Sequence, residues 1–247
     1  MRAGFIFLFV CCSCVSYLVV SAFVSLQIHT ENNPPQVRIT APLNKSMVAW
    51  NSLVTYSISI TDKEDGNSDY DEIPVNEVLL KVVYLADSLR VKKYIANTAK
   101  AGRDPEAVSL LMKWNCFTCH SVKDKLIGPS FEQIAKRYPY NISSVEMLMK
   151  KAINGSSGVW GNTIMPPQPE IKKQEVKQII YWIFKNGANN DTCYYIGLQG
   201  TFRTSDHPGK GVYVLTASYT DHGVHNMRAS HKRTEHTIVL NPFSPAK

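Results

Sequence analysis

The chain has 247 residues, a formal net charge of +7 and six cysteines. Its lysines and arginines are not interleaved with aromatics as a nucleic-acid surface requires, so no nucleic-acid partner is expected. The sequence holds no internal repeat, no glycine-rich phosphate loop beside a strand and no Ser/His/Asp set for nucleophilic catalysis.

Residues 3–28 are nearly all apolar, with Arg2 the only charge before them. Segment 1–25 therefore reads as a secretory signal peptide or an uncleaved N-terminal anchor. Val20-Ser21-Ala22 and Phe23-Val24-Ser25 resemble small-residue cleavage sites. About 20 apolar residues span a bilayer, so the length suits either role. Membrane contact is expected only through this segment, and the expected location is periplasmic or secreted. Lipidation of Cys11 is disfavoured because Val10 is bulkier than a lipoprotein signal normally accepts.

Residues 34–86 have a strand texture. Val54, Tyr56, Ile58 and Ile60 alternate with Thr55, Ser57 and Ser59, the pattern of a half-buried strand, and Val75–Leu85 predicts another. Asp62-Lys63-Glu64-Asp65-Gly66 is a polar turn. Asp62, Glu64 and Asp65, joined by Asp69 or Asp71, offer hard oxygen ligands for calcium; the competing role is a solvated loop.

Residues 100–187 change to helical periodicity. Asp104-Pro105-Glu106 is a helix start, with an N-cap acid and proline at the first helical position. Ala107, Leu110, Leu111 and Trp114 follow on one face, and Phe131, Ile134, Ala135 and Tyr138 repeat the spacing. Ser143 and Glu146 predict a capping box ahead of the Val145, Leu148, Met149, Ala152 stripe. A last helix carries Val176, Ile179, Ile180 and Ile183 and should stop at Asn186-Gly187.

Within this segment lies Cys116-Phe117-Thr118-Cys119-His120. Two thiols at i and i+3 on a helical turn point the same way and can form thioethers with one edge of a porphyrin. The adjacent imidazole then lies under the iron, which is the attachment pattern of c-type haem. Downstream, Met165-Pro166-Pro167 offers a thioether in a stiff loop; His and Met together fill six-coordinate iron and raise its potential. Gly128-Pro129 is either an ordinary turn or, as expected here, sets the Pro129 carbonyl to accept from the outer nitrogen of His120 and fix its ring. Trp160 is expected to pack on the haem edge and to donate to a propionate. Met112, Met147 and Met149 sit at helical spacing and read as core.

The strand texture resumes over residues 196–242. Gly211–Thr220 is the clearest case, with Leu198–Thr204 and Thr234–Leu240 weaker. His222, His225, His231 and His236 are irregularly spaced and are expected to scatter toward solvent rather than bind metal. With three cysteines in the N-terminal segment and two in the motif, Cys193 is left over, either as a buried free thiol or for an intermolecular bond.

Asp104-Pro105-Glu106, the Cys116–His120 motif, Gly128-Pro129, Ile153-Asn154-Gly155-Ser156, Gly158-Val159-Trp160-Gly161 and Met165-Pro166-Pro167 occur in order. Together they resemble the small bacterial class I cytochromes c. That resemblance implies a compact all-α domain with one covalent haem c on Cys116 and Cys119, His120 and Met165 as iron ligands, and one-electron transfer rather than catalysis. One departure is the absence of a glycine in the first helix where it would cross the last.

Neither β segment can bury a core alone, but joined they supply enough strands for an immunoglobulin-like sandwich. An opening Pro-Pro-x-Val-x-Ile, the Asp62–Gly66 turn and Gly211-x-Tyr213-x-Leu215-Thr216 resemble domains of the polycystic-kidney-disease type. The expected fold is an all-α cytochrome domain inserted into one sandwich built from both flanks; the rival is two small β modules. Lys123, Lys125, Lys172 and Lys173 are expected near the haem rim, steering toward a redox protein with an acidic surface. Acceptance of electrons from a periplasmic dehydrogenase is one such role. A surface-binding module with a sensor or structural haem is the alternative.

Overall fold

The computed structural model describes residues 31–101, 104–187, 191–206, 209–224 and 230–244. The N-terminal segment 1–25, Cys11 and His225 lie outside the described residues. No helix among the described residues is long and apolar enough to cross a membrane.

Two sheets form from strands drawn from both ends of the chain. In the first, β1 (Gln36–Ala41) pairs antiparallel with β3 (Leu53–Asp62). The other edge of β3 takes β4 (Gly66–Asn67) and β9 (Gln199–Arg203). The alternation read from the sequence is obeyed: Val54, Tyr56, Ile58 and Ile60 are buried. The second sheet has the order β2 (Met47–Ala49), β11 (Arg233–Phe243), β10 (Val212–Thr220), β5 (Leu79–Leu85), β8 (Thr192–Ile196). One core joins the sheets and includes Tyr56, Ile60, Leu80, Phe202, Leu215 and Leu240.

The junction with the helical segment is a hairpin. β5 and β8 pair antiparallel from Leu79↔Ile196 to Val83↔Thr192, and Tyr84 N–H donates to the Asp191 carbonyl at 2.8 Å. Residues 86–191 thus occupy the place of a hairpin loop. That segment starts with α1 (Val91–Ala101), a helix not expected from the sequence, and continues with α2 (Glu106–Lys113), α3 (Phe131–Arg137), α4 (Ile142–Asn154) and α5 (Lys173–Asn186). α5 packs against α2, α3 and α4. Its Val176, Ile179, Ile180 and Ile183 stripe enters a second core with Val108, Leu111 and Phe117. The same core takes Leu79, Cys193 and Tyr194 from β5 and β8, so sheet and helices share one apolar seam.

Several helix ends differ from the forecast. Ser143 and Glu146 do not cap α4; the helix begins at Ile142, and the Asn141 side chain accepts from Ser144 N–H at 2.8 Å. An unforeseen capping box starts α3, where Ser130 and Gln133 exchange bonds at 3.1 and 2.9 Å. Asp104 does not cap α2. Its buried carboxylate lies 2.6 Å from Arg233 of β11 and 3.4 Å from Lys81 of β5, locking the start of the helical segment onto the sheet. Gly187 ends α5 without a left-handed turn; a Cβ there would stand 2.7 Å from the Phe131 carbonyl, so close approach to α3 requires glycine.

The acidic turn is corrected from a calcium site to an internal clamp. Asp62 accepts from Glu64 and Asp65 N–H at 2.9 and 2.7 Å. Asp65 accepts from Tyr219 O–H at 2.7 Å and from His222 N–H at 2.9 Å, and Glu64 accepts from Asn33 at 2.8 Å. Among the described residues no group of three or more His, Cys, Asp or Glu is arranged to hold a metal ion. The carboxylates of Asp62, Glu64 and Asp65 instead satisfy the turn's own donors and those of neighbouring loops.

The histidines do not all scatter. His236 Nδ1 accepts from Ile39 N–H at 3.0 Å, closing β11 onto β1. His222 bridges Asp65 at 3.1 Å and Glu77 at 2.9 Å. Burial alone would lower its pKa, but the two carboxylates outweigh burial and raise it.

Two predictions follow from these clamps. Asp104→Ala leaves Arg233 and Lys81 facing each other beside apolar packing. Urea unfolding of the intact protein should show a loss of about 2 kcal/mol, less than for a fully buried pair because both cations keep some water. The stability contributed by protonated His222 is fully present below its ordinary pKa of 6.5 and is lost as pH rises through the raised folded value. The melting temperature of His222→Gln should therefore fall less than that of the parent between pH 6 and pH 8, and equal slopes would contradict the clamp.

Candidate functional site

The Cys116–His120 motif sits on a tight turn rather than an α-helix. α2 ends at Lys113, Asn115 takes a left-handed conformation (φ 53°, ψ 28°), and Cys116–Thr118 forms a 3-10 turn. Asparagine tolerates that backbone better than most residues. Its side-chain oxygen accepts from Asn76, just ahead of β5, at 3.0 Å. Behind the motif, Lys113 and Trp114 both bond Glu175 at the start of α5, at 2.8 and 3.2 Å. The turn is closed by Cys119 and His120 N–H groups donating to the Cys116 carbonyl at 3.2 and 3.0 Å.

His120 is held on two sides. Its Nδ1 lies 2.6 Å from the Pro129 carbonyl. A carbonyl only accepts, so Nδ1 carries the proton and Nε2 keeps its lone pair. The imidazole lies nearly parallel to Phe131, with centroids 5.7 Å apart and planes 17° apart. Gly128 passes so close that a Cβ there would be 2.5 Å from His120 Cε1. Burial lowers the His120 pKa despite the Pro129 bond, which keeps the ring neutral. Burial also pushes the Cys116 thiol up to about 11. Cys116 and Cys119 form no disulfide.

Met165 ends a small hairpin that the sequence did not forecast. β6 (Ser156–Gly158) pairs with β7 (Gly161–Met165), with Ser156 opposite Met165. Gly155 has φ 79°, and a Cβ there would stand 2.8 Å from the Met165 carbonyl and 3.0 Å from Pro167 N. The loop after α4 therefore folds directly against the Met165 backbone. Trp160, at the hairpin tip, lies edge-on to Tyr138 at 6.5 Å, and the Arg137 guanidinium sits over its ring at 4.6 Å. No local sequence signal pairs Arg137 with Trp160; only the approach of α3 to the hairpin does so.

Cys116, Cys119, His120, Pro129, Trp160 and Met165 all line one cleft of about 1200 Å³, measured out to open solvent. Its walls are mainly aliphatic, from residues such as Leu111, Ile134, Leu148, Ile179 and Ile183, with Lys151 a cation on the lining. Two thiols, a neutral imidazole with one free lone pair and a thioether in an apolar slot form a donor set that fits a covalently tethered haem c. The exposed Ile127 and Ile164 lie at the mouth. Of the lysines expected at the rim, Lys125, Lys172 and Lys173 are exposed, and none of them lines the cleft. Lys123 departs from that expectation: it is half-buried and close enough to Cys193 for its charge to act on the thiol. Cys193 itself is buried and forms no disulfide among the described residues.

The same segment is similar to known proteins. Residues 106–186 match the Cytochrome c family model. Cytochrome c-552 of Hydrogenobacter thermophilus is 41% identical over 68 residues, covering 28% of this chain and 68% of that protein. Cytochrome c-552 of Nitrosomonas europaea is 33% identical over 104 residues, covering 42% of this chain and 96% of that protein. The crystal structure of wild-type Nitrosomonas europaea cytochrome c552 matches with 36% identity and a TM-score of 0.31, over 32% of this chain and 96% of that chain. Members of this family are electron-transfer proteins with covalently bound haem, and through residues 106–186 the chain belongs to the cytochrome c family.

Proposed function

We propose that this protein passes single electrons through one haem c held by Cys116, Cys119, His120 and Met165, in the bacterial cell envelope. The observation that carries the proposal is the convergence of those four side chains on one apolar cleft, with His120 fixed by Pro129. Haem c, when bound, supplies a one-electron iron couple. Cys116 and Cys119 would tether its edge. Pro129 makes His120 a better donor by accepting a hydrogen bond from its Nδ1–H, and the Gly155 loop limits the freedom of Met165. The aliphatic walls exclude water, which leaves little to reorganise when charge changes. With His120 and Met165 both ligating, no position is open to a substrate, so transfer is outer-sphere. Trp160 lines the cleft with the Arg137 guanidinium over its ring, and the two would supply donors to the haem propionates.

The strand-rich part is proposed to be one immunoglobulin-like sandwich split by the cytochrome segment, an idea supported by the pairings of β5 with β8 and of β3 with β9. The apolar mouth at Ile127 and Ile164, with exposed lysines nearby, suits a redox protein with an acidic surface. A periplasmic dehydrogenase is one chemical class of donor that fits. Export follows if residues 1–25 act as signal or anchor.

The test is the full chain matured with the haem-attachment machinery. Its spectrum should be low-spin, with a Met–iron charge-transfer band when oxidised and colour that survives acid-acetone extraction. Colour that washes out would end the proposal. Met165→Ala should lose the band, lower the midpoint potential and bind carbon monoxide rapidly, as a sensor would; an unchanged potential would remove Met165 as ligand. Gly128→Ala places a methyl within 2.5 Å of His120 Cε1, so the ring must turn away from Pro129. Loss of that donor-strengthening bond should raise the potential in voltammetry, and an unaltered value would show that the ring is held by other means.

A further inference from the structure

We propose that Tyr194 of β8, outside the segment matched by the cytochrome family, is a positioning residue for His120, acting through Trp182 and Phe131. The proposal rests on the haem reading above. The family match ends at residue 186, so it assigns nothing to Tyr194.

The His120 ring has one hydrogen bond among the described residues, to Pro129, and a single bond leaves the ring free to rock about its axis. Phe131 covers one face in a nearly parallel stack at 5.7 Å. Phe131 is gripped edge-on by Phe117 at 5.8 Å and by Trp182 at 5.9 Å. Trp182 meets Tyr194 edge-on at 5.9 Å. Phe131, Trp182 and Tyr194 are 2%, 8% and 7% exposed, so none can swing out without opening a hole. Edge-on pairs of this kind favour a fixed mutual angle. At the far end, Tyr194 is opposite Lys81 in the β5–β8 ladder, so its backbone is set by the sheet. The ladder of rings thus runs from a rigid strand to the imidazole face. A small displacement of Tyr194 would pass to His120 because a close-packed interior transmits strain.

The experiment uses the full, haem-loaded chain as parent, Tyr194→Leu, Tyr194→Phe and a control, Val54→Ala, in the core between the two sheets. The readouts are the paramagnetically shifted haem-methyl resonances of the oxidised protein, which report imidazole orientation, and the midpoint potential. Tyr194→Leu should move both, and Tyr194→Phe should restore the parent values. Val54→Ala should lower unfolding stability and leave both in place. Should Tyr194→Leu fail to accumulate, Trp182→Phe shortens the middle of the ladder and should move the same resonances. Parent-like resonances and potential in Tyr194→Leu, or in Trp182→Phe, would overturn the proposal, as would an equal displacement in Val54→Ala. Failure of the haem reading is distinguishable, since the parent itself would then carry no covalent haem.

Discussion

The antiparallel pairing of β5 with β8 is the constraint on which the rest depends. It brings Val83 and Thr192 side by side and so closes the helical segment into a loop between neighbouring strands. Closing a long loop costs little more entropy than closing a moderate one, because the cost grows only with the logarithm of its length. A whole helical unit can therefore stand where a short turn would serve. The closure holds because β8 has work on both sides. Its Tyr195 reaches the core between the sheets, while Cys193 and Tyr194 enter the core around α2 and α5.

That second core makes the helical unit something other than a bead on a string. Leu79, Cys193 and Tyr194 are buried against Val108, Leu111 and Phe117, and full burial of a large apolar side chain stabilises by roughly 1.5–3 kcal/mol. Asp104, with Arg233 and Lys81, adds an ionic lock at the other end of the seam. The Asn76–Asn115 bond joins the two parts a third time, one residue before Cys116. The redox cleft is thus braced by the sheets from its proximal side. Its mouth, at Ile127 and Ile164, remains exposed.

The cleft shows how burial and hydrogen bonding divide labour. Burial keeps His120 neutral, a shift directed by the loss of water rather than by a neighbouring charge. The Pro129 carbonyl then chooses which imidazole nitrogen faces the cleft. Glycine at 128 and 155 permits the backbone to approach the two donor residues closely enough to fix them. Neither effect is visible in the donor atoms alone.

What the sequence determined by itself was local. The Cys116–His120 spacing, the Met165-Pro166-Pro167 loop, the stripes of α2 and α5 and the alternation of β3 depend on residues a few positions apart, and periodicity reports such neighbours directly. Short strands such as β8, with its Thr192–Ile196 span, and the hairpin under Trp160 carried too little periodicity to be forecast. α1, with lysines set among its apolar positions, was missed as well. Side-chain partners distant in the chain were decided only by tertiary structure. Asp104 looked like a helix cap and became the partner of Arg233. Asp62 and Asp65 looked like cation ligands and became acceptors for the chain's own donors, because the turn meets the Tyr219–His222 loop. Tyr194 gave no sign of packing into the helical core, since its place beside Trp182 exists only once β5 and β8 have paired. The physical reason is common to all three: a charge or ring takes its role from whatever packs against it, and packing between remote segments is set by the fold, not by the spacing.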